Sequence, residues 1–339
     1  MVTLGVRRWE MLAGSVQGVG KRHNQDWLDF LGTGSGEDPL VLAVADGHGS
    51  AVHARSGLGA RFAVDRFLAL AAGFGRAAHD CHEPGRLSRL MTYARDDFPR
   101  SLVQEWRQTA LGHWDRNPPE GQETSRRASG EPSPQDKLVL YGTTLIGAVL
   151  TPWLFVAWQI GDGDLAVVEH DGTLSRPLAP AEEDLGDETE SLCGREAWRA
   201  MRMHWAPVFE EARAPRLVVL STDGLSKSFA SADGYPDFVA GLAGRLTADG
   251  SAGVRGALPE WLSQASRYSG DDTTLAAAVR AEHDGREPAA DAPAQERNAP
   301  AAQDAHDPAR RQAPPPEEAD DPAAGPRGDD VDMERKTET

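Results

Sequence analysis

Runs of consecutive apolar residues alternate along this chain with stretches where apolar positions recur every three or four residues. That change of period separates strands from helices. Residues 9–16 and 27–31 read as the first two strands, with Gly18-Val19-Gly20 as a glycine-rich turn between them. Residues 40–45 form a third, apolar at every position, as a strand covered on both faces would be. From residue 50 to about 72 the spacing of Leu58, Phe62, Phe67 and Leu70 predicts a helix. A second helical region spans 86–114 and is interrupted at Pro99, and the polar stretch 115–137 reads as a surface loop. Three successive strands follow at 138–150, 153–160 and 164–170, joined by Thr151-Pro152 and by Gly161-Asp162-Gly163. Residues 173–213 read as irregular and acidic, 217–220 as a strand, 251–268 as including a helix, and 274–279 as the last strand. Antiparallel runs of strands with helices inserted between groups predict an α+β layered domain.

Composition changes the picture at the C-terminal end. Residues 281–339 of the 339 contain nine prolines and no aromatic residue, and their only large apolar side chains are Val331 and Met333. Their 16 acidic and 7 basic residues give a net charge of −9, half of the whole chain's −18. Such a segment cannot bury enough apolar surface to offset its conformational entropy, so a disordered tail is expected beyond a folded body of residues 1–280. The acidic balance, with no basic stripe, argues against nucleic acid as a partner. The two cysteines, Cys81 and Cys193, form no CxxC, which fits a reducing cytoplasm. Residues 142–160 are nearly all apolar, but Thr151-Pro152 divides them, so two buried strands explain them better than a membrane span. No membrane partner is expected.

The chemistry is concentrated where two apolar strands run out. Residues 40–45 lead into Asp46-Gly47-His48, and 217–220 lead into Ser221-Thr222-Asp223-Gly224. Asp-Gly is a common turn dipeptide. Two strands that each end in it can also aim two carboxylates at one point, and hard divalent cations prefer carboxylate, carbonyl and water oxygens.

Six short motifs then occur in order. They are Arg22-His23-Asn24-Gln25-Asp26, Val44-Ala45-Asp46-Gly47-His48-Gly49, Gly142-Thr143-Thr144, Gly161-Asp162-Gly163-Asp164, Ser221-Thr222-Asp223-Gly224 and Asp271-Asp272-Thr273-Thr274. In this order they resemble the protein phosphatase 2C family of metal-dependent Ser/Thr phosphatases, in a bacterial-looking form, across residues 10–280. The resemblance implies a four-layer α-β-β-α sandwich, two packed antiparallel sheets flanked by helices, with a metal centre at one end. It implies two Mn²⁺ or Mg²⁺ ions, with a weaker third, and direct attack on phosphorus by a metal-bridged hydroxide. Residue by residue, Asp46 would bridge both metals and the Gly47 carbonyl would bind one. Asp223 and Asp271 would hold the other, Asp26 would order metal-bound waters, and Asp162 would contribute to the third ion. His48 would protonate the leaving alkoxide or, read without the family, cap its turn.

The chain also departs from the pattern. Lys21 stands where the family carries a phosphate-binding arginine, with Arg22 one residue later, so either cation is a candidate for phosphate. Gln25 replaces an acid, and Gly163-Asp164 replaces the serine and arginine of the family's turn. Thr143 and Thr144 read as support for a buried strand, and Trp198 and Trp205 as core. The expected partner is a phosphorylated protein, the substrate of a Ser/Thr kinase. The altered positions leave two alternatives: a pseudo-phosphatase that binds phosphoproteins, and a phosphomonoesterase of small molecules.

Overall fold

The computed structural model describes residues 9–34, 38–79, 84–118, 132–179, 190–208 and 214–280. The expected tail, 281–339, lies outside them. The chain divides into two units, Met1–Gly285 and Arg286–Thr339, and every described residue belongs to the first.

Among the described residues, ten strands form two antiparallel five-stranded sheets. The first sheet has the order β1 (Trp9–Val16), β10 (Thr273–Arg280), β9 (Pro215–Ser221), β6 (Asp164–Glu169), β7 (Leu174–Ser175). The second has the order β2 (Trp27–Leu31), β3 (Leu40–Ala45), β4 (Leu145–Leu150), β5 (Leu154–Ile160), β8 (Arg202–Pro207). Alternation of side chains along each strand builds three apolar layers. On β3, Leu40, Leu42 and Val44 face β6, β9 and β10 across the sandwich, meeting Val167, Leu220 and Ala276. Val41, Ala43 and Ala45 face the other way, into Phe67, Phe98 and Trp106 of α1 (Ser56–His79) and α3 (Phe98–Arg116). On the outer face of the first sheet, Leu217, Val219 and Leu275 pack against Val239, Leu258 and Leu262 of α7 (Gly234–Ser269), which breaks at Gly250. The result is an α-β-β-α sandwich. It explains the unbroken apolar runs, since every central strand is covered on both faces.

Several boundaries differ from the sequence reading. The expected strand at 138–150 begins only at Leu145, because Pro134–Val139 is a helical turn, α4. Its start is set by a capping box in which Ser133 accepts the Asp136 N–H and the Asp136 carboxylate accepts from Ser133. The break expected at Pro99 is absent. A π-helical turn, Tyr93–Asp97, joins α2 (Pro84–Thr92) to α3, and Pro99 sits in the first turn of α3, where a proline is tolerated. Within 173–213, read as irregular, lie α5 (Ala197–Ala200) and β8. Met203 and Trp205 of β8 alternate toward the helical side of the sheet, a period-two signal, and Trp198 and Trp205 both pack against that core. The first half of α7 was also missed, although Tyr235, Val239, Leu242 and Ala243 give a buried helical stripe. Among the described residues no helix is long and apolar enough to cross a membrane.

Candidate active site

Strand register brings the motif residues to one end of the sandwich. Trp27 pairs with Ala45, so Asp26 and Asp46 sit side by side just beyond the ends of β2 and β3. Ser221 pairs with Leu275 on one side and Asp164 on the other, so Thr222-Asp223, Asp271-Asp272 and Gly161-Asp162-Gly163 gather at the matching end of the first sheet. Hydrogen bonds tie the two ends together. The Thr222 hydroxyl donates to Asp26 Oδ2 at 2.8 Å, and the Gln25 N–H donates to Asp272 Oδ2 at 2.9 Å.

The backbone of Asp46 is clamped. Its carbonyl accepts from Thr143 Oγ1 at 2.8 Å and from the Thr144 N–H at 2.9 Å, while its own N–H donates to Thr144 Oγ1 at 3.1 Å. The two threonines thus fix the carboxylate-bearing residue as well as supporting a strand. Sequence reasoning missed that role, which depends on a contact almost a hundred residues away. The glycines that follow each aspartate are also explained. A Cβ on Gly47 would meet the Ser56 carbonyl carbon at 2.7 Å, and one on Gly224 would meet the Asp272 carbonyl oxygen at 1.9 Å. Close backbone approach therefore requires glycine at both positions.

Electrostatics mark the cluster. Burial first, then the charges of Asp26, Asp223 and Asp271, push the Asp46 carboxyl well above the usual carboxylate range. Burial raises Asp26 to about 7 against hydrogen bonds from Thr274 and Thr222. Burial and the charge of Asp162 raise Asp223 to about 6, opposed by Lys227. Asp26 Oδ1 and Asp223 Oδ1 are buried without a hydrogen-bond partner. Crowded, desolvated carboxylates with unpartnered oxygens are an all-oxygen donor set suited to hard divalent cations. Among the described residues no three His, Cys, Asp or Glu side chains already stand in a metal-holding arrangement. Two lysines pair with carboxylates of the cluster. Lys227 pairs with Asp223 Oδ2, and Lys21 pairs with Asp271 Oδ1 and, at 3.2 Å, with Asp272 Oδ2.

The remaining candidates separate. Lys21 gives its ammonium to two carboxylates, whereas Arg22 is exposed. Asp272 is a structural organiser, accepting from the Gly18 and Gln25 N–H groups as well as from Lys21. Gln25 ties the His48 carbonyl to Ser56 of α1. Asp164 turns away from the cluster to pair with Arg176. Asp162 is exposed at its turn, close enough to influence Asp223, Lys227 and His48. His48 packs against His53 with ring centroids 4.8 Å apart. Burial, then the charge of His53, lowers its pKa to about 4, with Asp162 opposing. An apolar cleft of about 360 Å³ between α6 (Asp223–Ser226) and α7, lined by Leu225, Phe229, Phe238 and Trp261, includes none of these carboxylates.

Comparisons with known proteins agree with this architecture. A family model described as protein phosphatase 2C matches residues 15–263. A bacterial serine phosphatase superposes with a TM-score of 0.51 at 14% identity, covering 80% of this chain and 97% of that one. A point variant of a bacterial serine phosphatase superposes at 0.52, again at 14% identity and with the same coverage of 80% and 97%. The catalytic domain of the serine/threonine phosphatase PstP, in complex with two manganese ions, gives 0.48 at 18% identity, covering 81% of this chain and 100% of that one. At such identities the likeness is one of fold. No curated protein matches the sequence.

Proposed function

This chain belongs to the protein phosphatase 2C family, and from that premise we propose that it hydrolyses phosphoserine and phosphothreonine in proteins with the help of two divalent cations, Mn²⁺ or Mg²⁺. The observation that carries the reading is the convergence of Asp26, Asp46 and Asp223 at one end of the sandwich, with buried carboxylate oxygens that no protein donor satisfies. Asp46, Asp223, Asp271 and the Gly47 carbonyl would hold the ions, with Asp26 beside them. Bound there, the ions would supply a water of lowered pKa as the nucleophile. The chain's own residues do the rest. Thr143 and Thr144 hold Asp46 in place, and Asp272 fixes the loop that carries Lys21 and Asp26. His48 stands as the proton donor to the leaving oxygen. Burial, then the charge of His53, lowers its pKa to about 4, so it rests neutral, and a substrate phosphate dianion beside it would favour its protonation.

The deciding assay compares a phosphothreonine peptide with an aryl phosphate, each with Mn²⁺ and with chelator. Metal-dependent turnover of both is expected, with the peptide preferred in kcat/KM. Turnover of the aryl phosphate alone would point to a small-molecule phosphomonoesterase. Tight peptide binding without turnover would point to a pseudo-phosphatase. Lys21 is committed to Asp271 and Asp272, which leaves the exposed Arg22 as the candidate for phosphate.

Metal binding should depend on pH. With Asp223 raised to about 6 and Asp26 to about 7, both carboxyls carry protons in mildly acidic solution; Asp223 must lose its proton to ligate, and Asp26 to accept from metal-bound water. Raising the pH therefore favours binding, and binding releases protons. Calorimetry in buffers of different ionisation enthalpy should show that release and a weaker Mn²⁺ affinity at about pH 5.5 than at about pH 8. An affinity flat across that range would contradict the assignment.

We also propose that residues 281–339 are dispensable for folding and chemistry, because they carry too little apolar surface to extend the core. A chain ending after Arg280, the last residue of β10, should keep the Tm and kcat of the full chain. A clear fall in either would mean that the tail docks on the body.

A further inference from the structure

Lys227 lies one helical turn beyond Asp223, its N–H donating to the Asp223 carbonyl at 2.8 Å. This spacing lays its side chain back over the aspartate. Its ammonium occupies Asp223 Oδ2, while Oδ1 of the same carboxylate is buried without a partner. The two oxygens are thus used differently, one toward a tethered cation and one left for another. The side chain is half in solvent, and its ammonium brings a positive charge to the cluster at Asp223.

The charges balance on that basis. Asp26, Asp46, Asp162, Asp223, Asp271 and Asp272 form one electrostatically linked set of six carboxylates. Lys21 and Lys227 return two positive charges, and two divalent ions would supply the other four. A further divalent ion between Asp162 and Asp223 would have to share Oδ2 with an ammonium and stand against its charge.

Resting on the metal-dependent reading above, we infer that the Lys227 ammonium is a built-in cation of the centre: it holds the Asp162–Asp223 edge and excludes a third divalent ion there. Lys227 is a positioning residue that sets the metal count of this chain.

The test counts Mn²⁺ bound per full-length chain, by equilibrium dialysis and calorimetry. The wild type should bind two ions, and Lys227→Arg should also bind two. Lys227→Gln should bind two and gain a weaker third, which Asp162→Asn in the same chain should remove. Asp162→Asn alone should leave the wild-type count unchanged, and Lys227→Met, which also removes the charge, stands in if Lys227→Gln fails to fold. A wild type that binds three ions and loses one with Asp162→Asn would overturn the inference. So would a Lys227→Gln chain that folds and still binds only two, although the metal-dependent reading would then survive. A wild type that binds no Mn²⁺ would overturn both.

Discussion

Replacing Asp46 by asparagine should lower kcat on a phosphothreonine peptide by about 10³-fold or more, because loss of a metal ligand removes several kcal/mol of transition-state stabilisation. The substitution keeps the volume and the backbone clamp from Thr143 and Thr144, so the effect reports the carboxylate itself. Stability should move the other way. In the metal-free protein Asp46 is buried among Asp26, Asp223 and Asp271, which disfavour its charge. A neutral amide relieves that repulsion, so the metal-free variant should melt higher than the metal-free wild type. Mn²⁺ should raise the Tm of the wild type more than that of the variant, since ligand binding stabilises in proportion to the logarithm of affinity. Activity within about twofold of wild type would remove Asp46 from the centre. Asp223→Ala should lose activity similarly but without the gain in stability, because it leaves the Lys227 ammonium without its partner.

His48→Gln should lose far more activity on a phosphothreonine peptide than on p-nitrophenyl phosphate, at saturating Mn²⁺. A threonine alkoxide is a poor leaving group and needs a proton as the P–O bond breaks. A nitrophenolate leaves without one. General acid help is worth about 10²–10⁴ in rate, so a loss of that order is expected on the peptide and little on the aryl ester. Glutamine keeps a polar side chain against His53 and leaves the His48 N–H free to donate to the Gly142 carbonyl. The lowered pKa of His48 sharpens the test. A proton donor must be protonated to act, so the limb of kcat/KM that falls with rising pH should begin well below the ordinary histidine range in the wild type and be absent in the variant. Equal losses on both substrates would mean that His48 supports the centre or the fold, and no loss on either would leave it a turn residue.

The first three strands, 9–16, 27–31 and 40–45, read with the bounds that the structure gives. The first two are partly exposed edge strands, whereas 40–45 is central and wholly buried. Central strands buried on both faces must be apolar at every position, and such runs are hard to mistake. The errors fell where local chemistry competed with that signal. Leu138 belongs to a capped helical turn because Ser133 and Asp136 satisfy each other's backbone, a pattern visible in Ser133-Pro134-Gln135-Asp136 but outweighed by the apolar run behind it. Strand β8 and the first half of α7 carried periodic signals diluted by charged, alanine and glycine neighbours.

The candidate site divides in the same way. Its parts list was present in the sequence: the Asp-Gly pairs, their place at strand ends, and the order of motifs. Short-range rules fix those features, because a strand that ends in Asp-Gly presents its carboxylate at an edge whatever the partner strand. Which charges offset which was decided by tertiary structure alone. Lys21 could not be read as the partner of Asp271 and Asp272, some 250 residues away, nor Thr222 as the donor to Asp26, nor Thr143 as the clamp on the Asp46 carbonyl. Such pairings depend on how two sheets stack and in which register, and no local pattern encodes the distance between residues on different sheets. The sequence determined the elements and the carboxylates; the packing of the two sheets determined the field those carboxylates share.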